Sequence, residues 1–172
     1  MTAAPVFFEL TPKECADVLE RNHIGRIAFL REGRVDIEPV GYVARGNWIF
    51  VRSAYGAKLE AFAHNPYVAF EVDEVDGPFD WRSVVAQGTI YMLPADGAPV
   101  EQKEFERAVK ALRTIMPHAL TKSDPVPERV FVYGLHVDRL SGRMAQQAAK
   151  RGGGRKRVVR KKGSVARGRN GF

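Results

Sequence analysis

The stretch "IFVRSAYGAKLEAFAHNPYVAFEVDEVD", Ile49 to Asp76, is the part of the chain from which the rest is read. It opens as an apolar strand that ends on Arg52 and Ser53. A short helix follows from Ala57 to His64, with Leu59 and Phe62 as its apolar residues. Asn65-Pro66 stops it, because the residue before a proline is pushed out of the helical region. Tyr67 to Asp73 then alternates apolar and polar residues, as a half-buried strand does. The first strand therefore delivers an arginine and a serine, and Lys58 follows five residues after the serine at the head of the helix. A phosphate monoester is held well by a guanidinium, an ammonium, a hydroxyl and the free N–H groups of a helix start. All four lie between Arg52 and Lys58. On spacing alone an equally simple reading stands beside this one: Arg52 and Lys58 are solvated and Ser53 caps the turn.

Working outward, "GRIAFL" (Gly25 to Leu30), "RVDIEPVGYVA" (Arg34 to Ala44) and "NWIFVRS" (Asn47 to Ser53) are joined by the short links "REG" and "RG", which suits a meander of antiparallel hairpins. Pro39 has no N–H to give to a ladder, so it belongs at an edge, a bulge, or a place where something other than a strand approaches. Upstream, Thr11 and Glu14 form a capping box with Pro12 at the first helical position, and Leu10 and Cys15 are placed to close a hydrophobic staple. Cys15, Val18 and Leu19 supply that helix's buried face. Downstream, a turn-rich loop "EVDGPFD" precedes a long strand "WRSVVAQGTIYML" (Trp81 to Leu93). Phe105, Val109, Leu112 and Ile115 mark a second long amphipathic helix, and "RVFVYGLHVDRL" (Arg129 to Leu140) reads as the final strand. Six antiparallel strands interrupted by helices predict a mainly β, α+β domain, or a small barrel with helices on its flanks.

The chain has 172 residues, 45% of them apolar, which suits one domain with a substantial core. No apolar run reaches membrane-spanning length and the first residues lack the pattern of a signal peptide, so the expected address is the cytoplasm. Cys15 is the only cysteine, which excludes an internal disulfide and a paired-cysteine zinc site. The net charge of +7 is unevenly spread: residues 150–172 hold ten Lys or Arg and no Asp or Glu, leaving 17 basic against 20 acidic residues, a net −3, in residues 1–149. The expected organisation is a mildly acidic domain, 1–149, and a basic, disordered tail, 150–172, which is either a solvated extension or a nonspecific contact to nucleic-acid phosphates that reads no sequence.

The four histidines, His23, His64, His118 and His136, are not at metal-ligand spacing, and no metal site is expected. No serine sits in a G-x-S-x-G elbow, and neither a P-loop nor a G-x-G-x-x-G pattern occurs.

Taken together, "ELTPKECADVLERNHIGRIAFL", "EPVGY", "IFVRSAYGAKLEAFAHNPYVAFEVDEVD" and "WRSVVAQGTI" resemble the pyridoxamine 5'-phosphate oxidase-like family of FMN-binding split barrels. The likeness is to its small general members related to nitroimidazole-resistance proteins. It is close from Phe8 to Leu93, loose from Arg129 to Met144, and does not reach the tail. The resemblance implies a six-stranded split β-barrel that pairs as a homodimer, with one FMN per subunit in clefts at the dimer interface. It places Pro39, Val40 and Gly41 along the isoalloxazine edge, and Val51, Arg52, Ser53, Ala57 and Lys58 around the ribityl phosphate. Trp81 and Ser83 would approach the ring from a neighbouring strand. The region after the last strand departs from true pyridoxamine phosphate oxidases, since Arg139, Arg143 and His136 do not reproduce their substrate motif, and vitamin B6 oxidation is disfavoured. The implied function is an FMN-dependent oxidoreductase that reduces a small acceptor from a nicotinamide donor, with no catalytic acid or base assigned. A non-catalytic flavin-binding module, or a split barrel holding haem or a deazaflavin, are the alternatives.

Overall fold

The computed structural model describes residues 4–147, so the basic tail lies outside the described residues. Seven strands and three helices follow in the order β1 (Pro5–Glu9), α1 (Pro12–Arg21), β2 (Ile24–Arg31), β3 (Arg34–Arg45), β4 (Trp48–Ser53), α2 (Ala57–His64), β5 (Tyr67–Gly77), β6 (Asp80–Met92), α3 (Pro99–Leu112) and β7 (Phe131–Gln147). The sheet runs β1-β7-β4-β3-β2-β5-β6, and a further β6–β7 ladder closes six of the strands into a ring. All pairings are antiparallel. This is the split barrel, with β1 added outside it against the end of β7.

Local chemistry accounts for the elements. Thr11 accepts from the Glu14 N–H and the Glu14 carboxylate accepts from the Thr11 N–H at 2.8 Å, so the capping box starts α1. Glu32 and Gly33 both adopt positive φ, the geometry of a type I′ hairpin turn between β2 and β3. Leu10 and Cys15 are buried together against Gly142 of β7, where a Cβ would stand 2.7 Å from the Cys15 sulfur and 2.9 Å from a Leu10 carbon. Glycine is what lets the start of α1 reach the sheet.

Two cores result. Ile27, Phe29, Tyr42, Val51, Phe70, Val72, Val84, Tyr133 and Leu135 fill the barrel, joined by Val18 and Leu19 of α1 and Leu59 and Phe62 of α2. On the other face of β3 and β4, Val43, Phe50 and Val132 pack under Ala108, Ala111 and Leu112 of α3. Each large side chain buried here contributes roughly 1.5–3 kcal/mol.

The structure departs from the sequence reading at three places. β1 forms a seventh strand, which five residues of exposed, non-alternating character did not signal. The "EVDGPFD" segment is mostly ladder, with Glu74 opposite Arg82 and Val75 opposite Trp81, and a bulge before Gly77. The final strand begins at Phe131 and continues to Gln147, because both β1 and β6 pair with its second half.

Candidate functional site

The cleft lies where β3 and β4 separate. β4 pairs with β7 along its whole length but with β3 only from Trp48 to Val51, so Arg52 and Ser53 keep β7 on one side, opposite Val132 and Phe131, and lose β3 on the other. The Tyr42 N–H donates to the carbonyl of His23, just before β2, at 2.9 Å, so by strand alternation the nitrogens of Gly41 and Pro39 face away from β2, toward the open side. Pro39 therefore loses no ladder bond, as its position in the sequence required. The opening that remains has a volume of about 220 Å³, lined by Glu38, Pro39, Val40, Gly41, Arg52, Ser53, Ala54, Lys58 and Arg129.

Six of the ten residues singled out in the sequence meet in this one cleft: Pro39, Val40, Gly41, Arg52, Ser53 and Lys58. Val51 is buried in the barrel core, so only its backbone is near the cleft, and Ala57 is the first residue of α2, beside Lys58. The Gly56 carbonyl accepts from the N–H groups of Leu59 and Glu60, and no side chain caps the N–H groups of Ala57 and Lys58 at the start of α2. Trp81 and Ser83 line a different cleft of about 690 Å³, with Glu9, Leu10, Val85 and residues 139–143. Ser83 donates to Glu71 at 2.8 Å, and Trp81 packs against Phe7. Arg139 and Arg143 belong to that second cleft, whereas His136 lies against Trp48 and Asp138.

Two of the three cations lining the first cleft, Arg52 and Lys58, are already engaged. Arg52 is buried and forms a bidentate pair with Asp124, its Nη2 donating to Oδ1 at 2.9 Å and its Nη1 to Oδ2. Asp124 also accepts the backbone N–H groups of Leu120 (2.6 Å) and Val126 (3.0 Å). The Arg52 guanidinium, helped by these backbone donors and opposed by burial, holds the Asp124 carboxyl well below the usual carboxylate range. Lys58 donates to Glu38 at 2.9 Å. One donor stays unsatisfied, since the Arg52 Nε–H is buried without a partner. Glu38, Asp124 and Arg129 were not anticipated. Glu38 adjoins Pro39 and was within reach of a local reading; Asp124 lies 72 residues from Arg52, and no local pattern links them.

The profile of the pyridoxamine 5'-phosphate oxidase family matches residues 11–144. The chain belongs to that family. An uncharacterised protein of Rhizobium meliloti (strain 1021) is 30% identical over 86 residues, 50% of this chain and 57% of its own length, so the match spans little more than half of that relative. Among solved structures, a FAD-binding protein of Mesorhizobium loti is 25% identical, with a TM-score of 0.65 over 80% of this chain and 97% of that one. A candidate 5-nitroimidazole antibiotic resistance protein of Bacteroides thetaiotaomicron shares the fold at 17% identity, with a TM-score of 0.60 over 84% of this chain and 90% of that one. The family match includes β2 to β6, and with them the cleft walls that β3, β4 and α2 provide.

Proposed function

We propose that this chain is a flavoprotein that binds FMN with its phosphate in the cleft of Arg52, Ser53 and Lys58, and that it acts as an FMN-dependent oxidoreductase. The observation that carries the reading is the cleft: it gathers two cations, a hydroxyl and an uncapped helix start around a buried guanidinium with an orphaned N–H. That donor set fits a phosphate. The Mesorhizobium loti neighbour is a FAD-binding protein, which supports a flavin as the ligand class. Flavin, when bound, supplies hydride or electron transfer. The chain's own residues bind and orient: Lys58 neutralises charge, Ser53 offers a hydroxyl, and the strand edge at Pro39–Gly41 offers backbone groups to a planar ring. Glu38 is the one carboxylate lining the cleft among the described residues, and its bond to Lys58 occupies it.

The cleft is smaller than the roughly 300–1,000 Å³ usual for pockets that enclose a drug-sized ligand. A homodimer resolves this, because the Trp81–Ser83 cleft of a second copy would complete the site. The mass and absorbance spectrum of whatever copurifies separate FMN from FAD, haem and a deazaflavin. Arg52→Ala and Lys58→Ala are each expected to weaken FMN about ten- to a hundredfold, the loss of one charge-assisted partner of a dianion. Unchanged affinity in both folded variants would reject the phosphate assignment. Nicotinamide oxidation by the FMN-loaded protein separates a reductase from a binding module.

A further inference from the structure

We infer that Arg129 is a phosphate ligand of this cleft, and that the segment carrying it, residues 113–130, is a strap latched in place by Asp124 on Arg52. The inference rests on reading the cleft as a phosphate site and extends it to a residue outside the strands and helix that form its other walls.

Three cations line the cleft: Arg52, Lys58 and Arg129. Arg52 is paired with Asp124 and Lys58 with Glu38, whereas Arg129 lines the cleft with no carboxylate within ion-pair distance among the described residues. Two carboxylates offset two cations, so the uncompensated positive charge of the site belongs to Arg129. Its guanidinium is the group an incoming anion meets without displacing an internal partner.

The strap that delivers it is built around one carboxylate. After α3 ends at Leu112, the Arg113 Nε–H donates to the Ala119 carbonyl at 3.0 Å, and Leu120 adopts φ +58°, a left-handed conformation that costs free energy in a residue with a branched side chain. The Leu120 N–H is one of the donors to Asp124, so the strained residue is held by the same carboxylate that holds Arg52. Both side chains of the pair are 2% exposed. Asp124 also takes the Val126 N–H, and the Arg129 N–H in turn donates to the Val126 carbonyl at 3.1 Å, the turn that brings Arg129 to the cleft before β7 begins. Asp124 is thus a positioning residue. It does not line the cleft and acts by fixing the strap to Arg52 at the floor of the site.

The test compares FMN with riboflavin, which carries the same ring and ribityl chain and lacks the phosphate. Wild type, Arg129→Ala, Arg129→Lys and Asp124→Asn are titrated with both by flavin fluorescence. Arg129→Ala is expected to lose about tenfold or more in FMN affinity with riboflavin affinity unchanged, and Arg129→Lys to recover part of the loss. Asp124→Asn is expected to lose the same FMN preference and to become protease-sensitive within 113–130. A wild-type FMN-to-riboflavin ratio in Arg129→Ala overturns the ligand assignment while leaving the flavin reading intact. Intact strap protection and FMN preference in Asp124→Asn overturn the latch. If Asp124→Asn does not fold, the exposed Arg129 variants decide the ligand, and protection of the wild-type strap against amide exchange on adding inorganic phosphate decides the latch. Should wild type bind no flavin, the flavin reading falls. Inorganic phosphate titrated against the Arg129 Nε–H resonance then decides alone: a saturable shift supports the inference and its absence ends it.

Discussion

Two tyrosines of the barrel show how much depends on one hydrogen bond. Tyr42 and Tyr133 are both fully buried, and the Tyr42 hydroxyl donates to the Leu19 carbonyl at 2.9 Å, tying α1 to β3. The Tyr133 hydroxyl has no partner, and burial, followed by the nearby Glu38 charge, pushes its ionisation well above the ordinary phenol value. Removing an orphaned buried hydroxyl removes a desolvation cost, so Tyr133→Phe should be neutral or stabilising by up to about 1 kcal/mol. Tyr42→Phe should destabilise by about 1 kcal/mol or more, because it leaves the Leu19 carbonyl unpaired. Urea unfolding of both variants checks the contrast. A loss in Tyr133→Phe as large as in Tyr42→Phe would mean that the hydroxyl is satisfied in solution.

At the scale of elements, α1 is held to the β5–β6 hairpin by Glu74. Its carboxylate accepts from the Arg21 Nε and Nη2, both at 2.6 Å, and from the Asn22 side chain at 2.7 Å, with Arg82 at 3.6 Å. The Arg21 bond, against burial and with Asn22 assisting, lowers the Glu74 pKa from 4.5 to about 2. A carboxylate depressed in the folded state contributes stability that is fully present above its unfolded pKa and is lost as pH falls through the folded value. Glu74→Gln should therefore be less stable than wild type by about 2–3 kcal/mol at neutral pH. The gap should narrow from about pH 4.5 downward and close near pH 2. Chemical denaturation across that range measures it, and a gap that does not change with pH would assign the loss to packing.

At the scale of the whole molecule, the barrel leaves a broad apolar surface uncovered. The outward positions of β2, β3 and β5 include Ile24, Leu30, Val35, Ile37, Tyr67 and Val75, with Ile24, Val35, Ile37 and Tyr67 each about two-thirds exposed. Pro39 lies at one side of this surface, and Trp81 and Ser83 at the other, carried there by the β5–β6 ladder. The Arg26–Glu71–Asp73 ion pairs set Ile24 and Val75 apart from Leu30, Val35, Ile37 and Tyr67, and exposed apolar area rimmed by polar groups in this way marks an interaction surface. In the proposed homodimer this surface would bring the two half-sites together. Sedimentation should find a dimer, and Ile37→Glu together with Val35→Glu should yield monomers that bind flavin more weakly. A wild-type monomer that binds flavin stoichiometrically would refute the shared site.

The sequence by itself determined the local part of this protein. The capping box at Thr11, the hairpin turn at Glu32-Gly33, the strand periods and the break at Asn65-Pro66 are interactions among neighbours, and neighbours are visible in a string of residues. The pieces of the cleft on β3, β4 and α2 were legible for the same reason: Pro39 pointed to an edge, a bulge or a neighbour other than a strand, and Arg52, Ser53 and Lys58 are close in sequence. Tertiary structure alone decided the rest. β1 forms because the end of β7 offers it a partner, and Glu74 to Gly77 join the ladder although their composition reads as a turn. Asp124 meets Arg52, and Arg129 joins the cleft, only once α3 has packed on the outer face and the chain has returned to begin β7. Such contacts link residues far apart along the chain, and their free energy depends on desolvation and on the geometry of closure, neither of which leaves a period or a spacing to read.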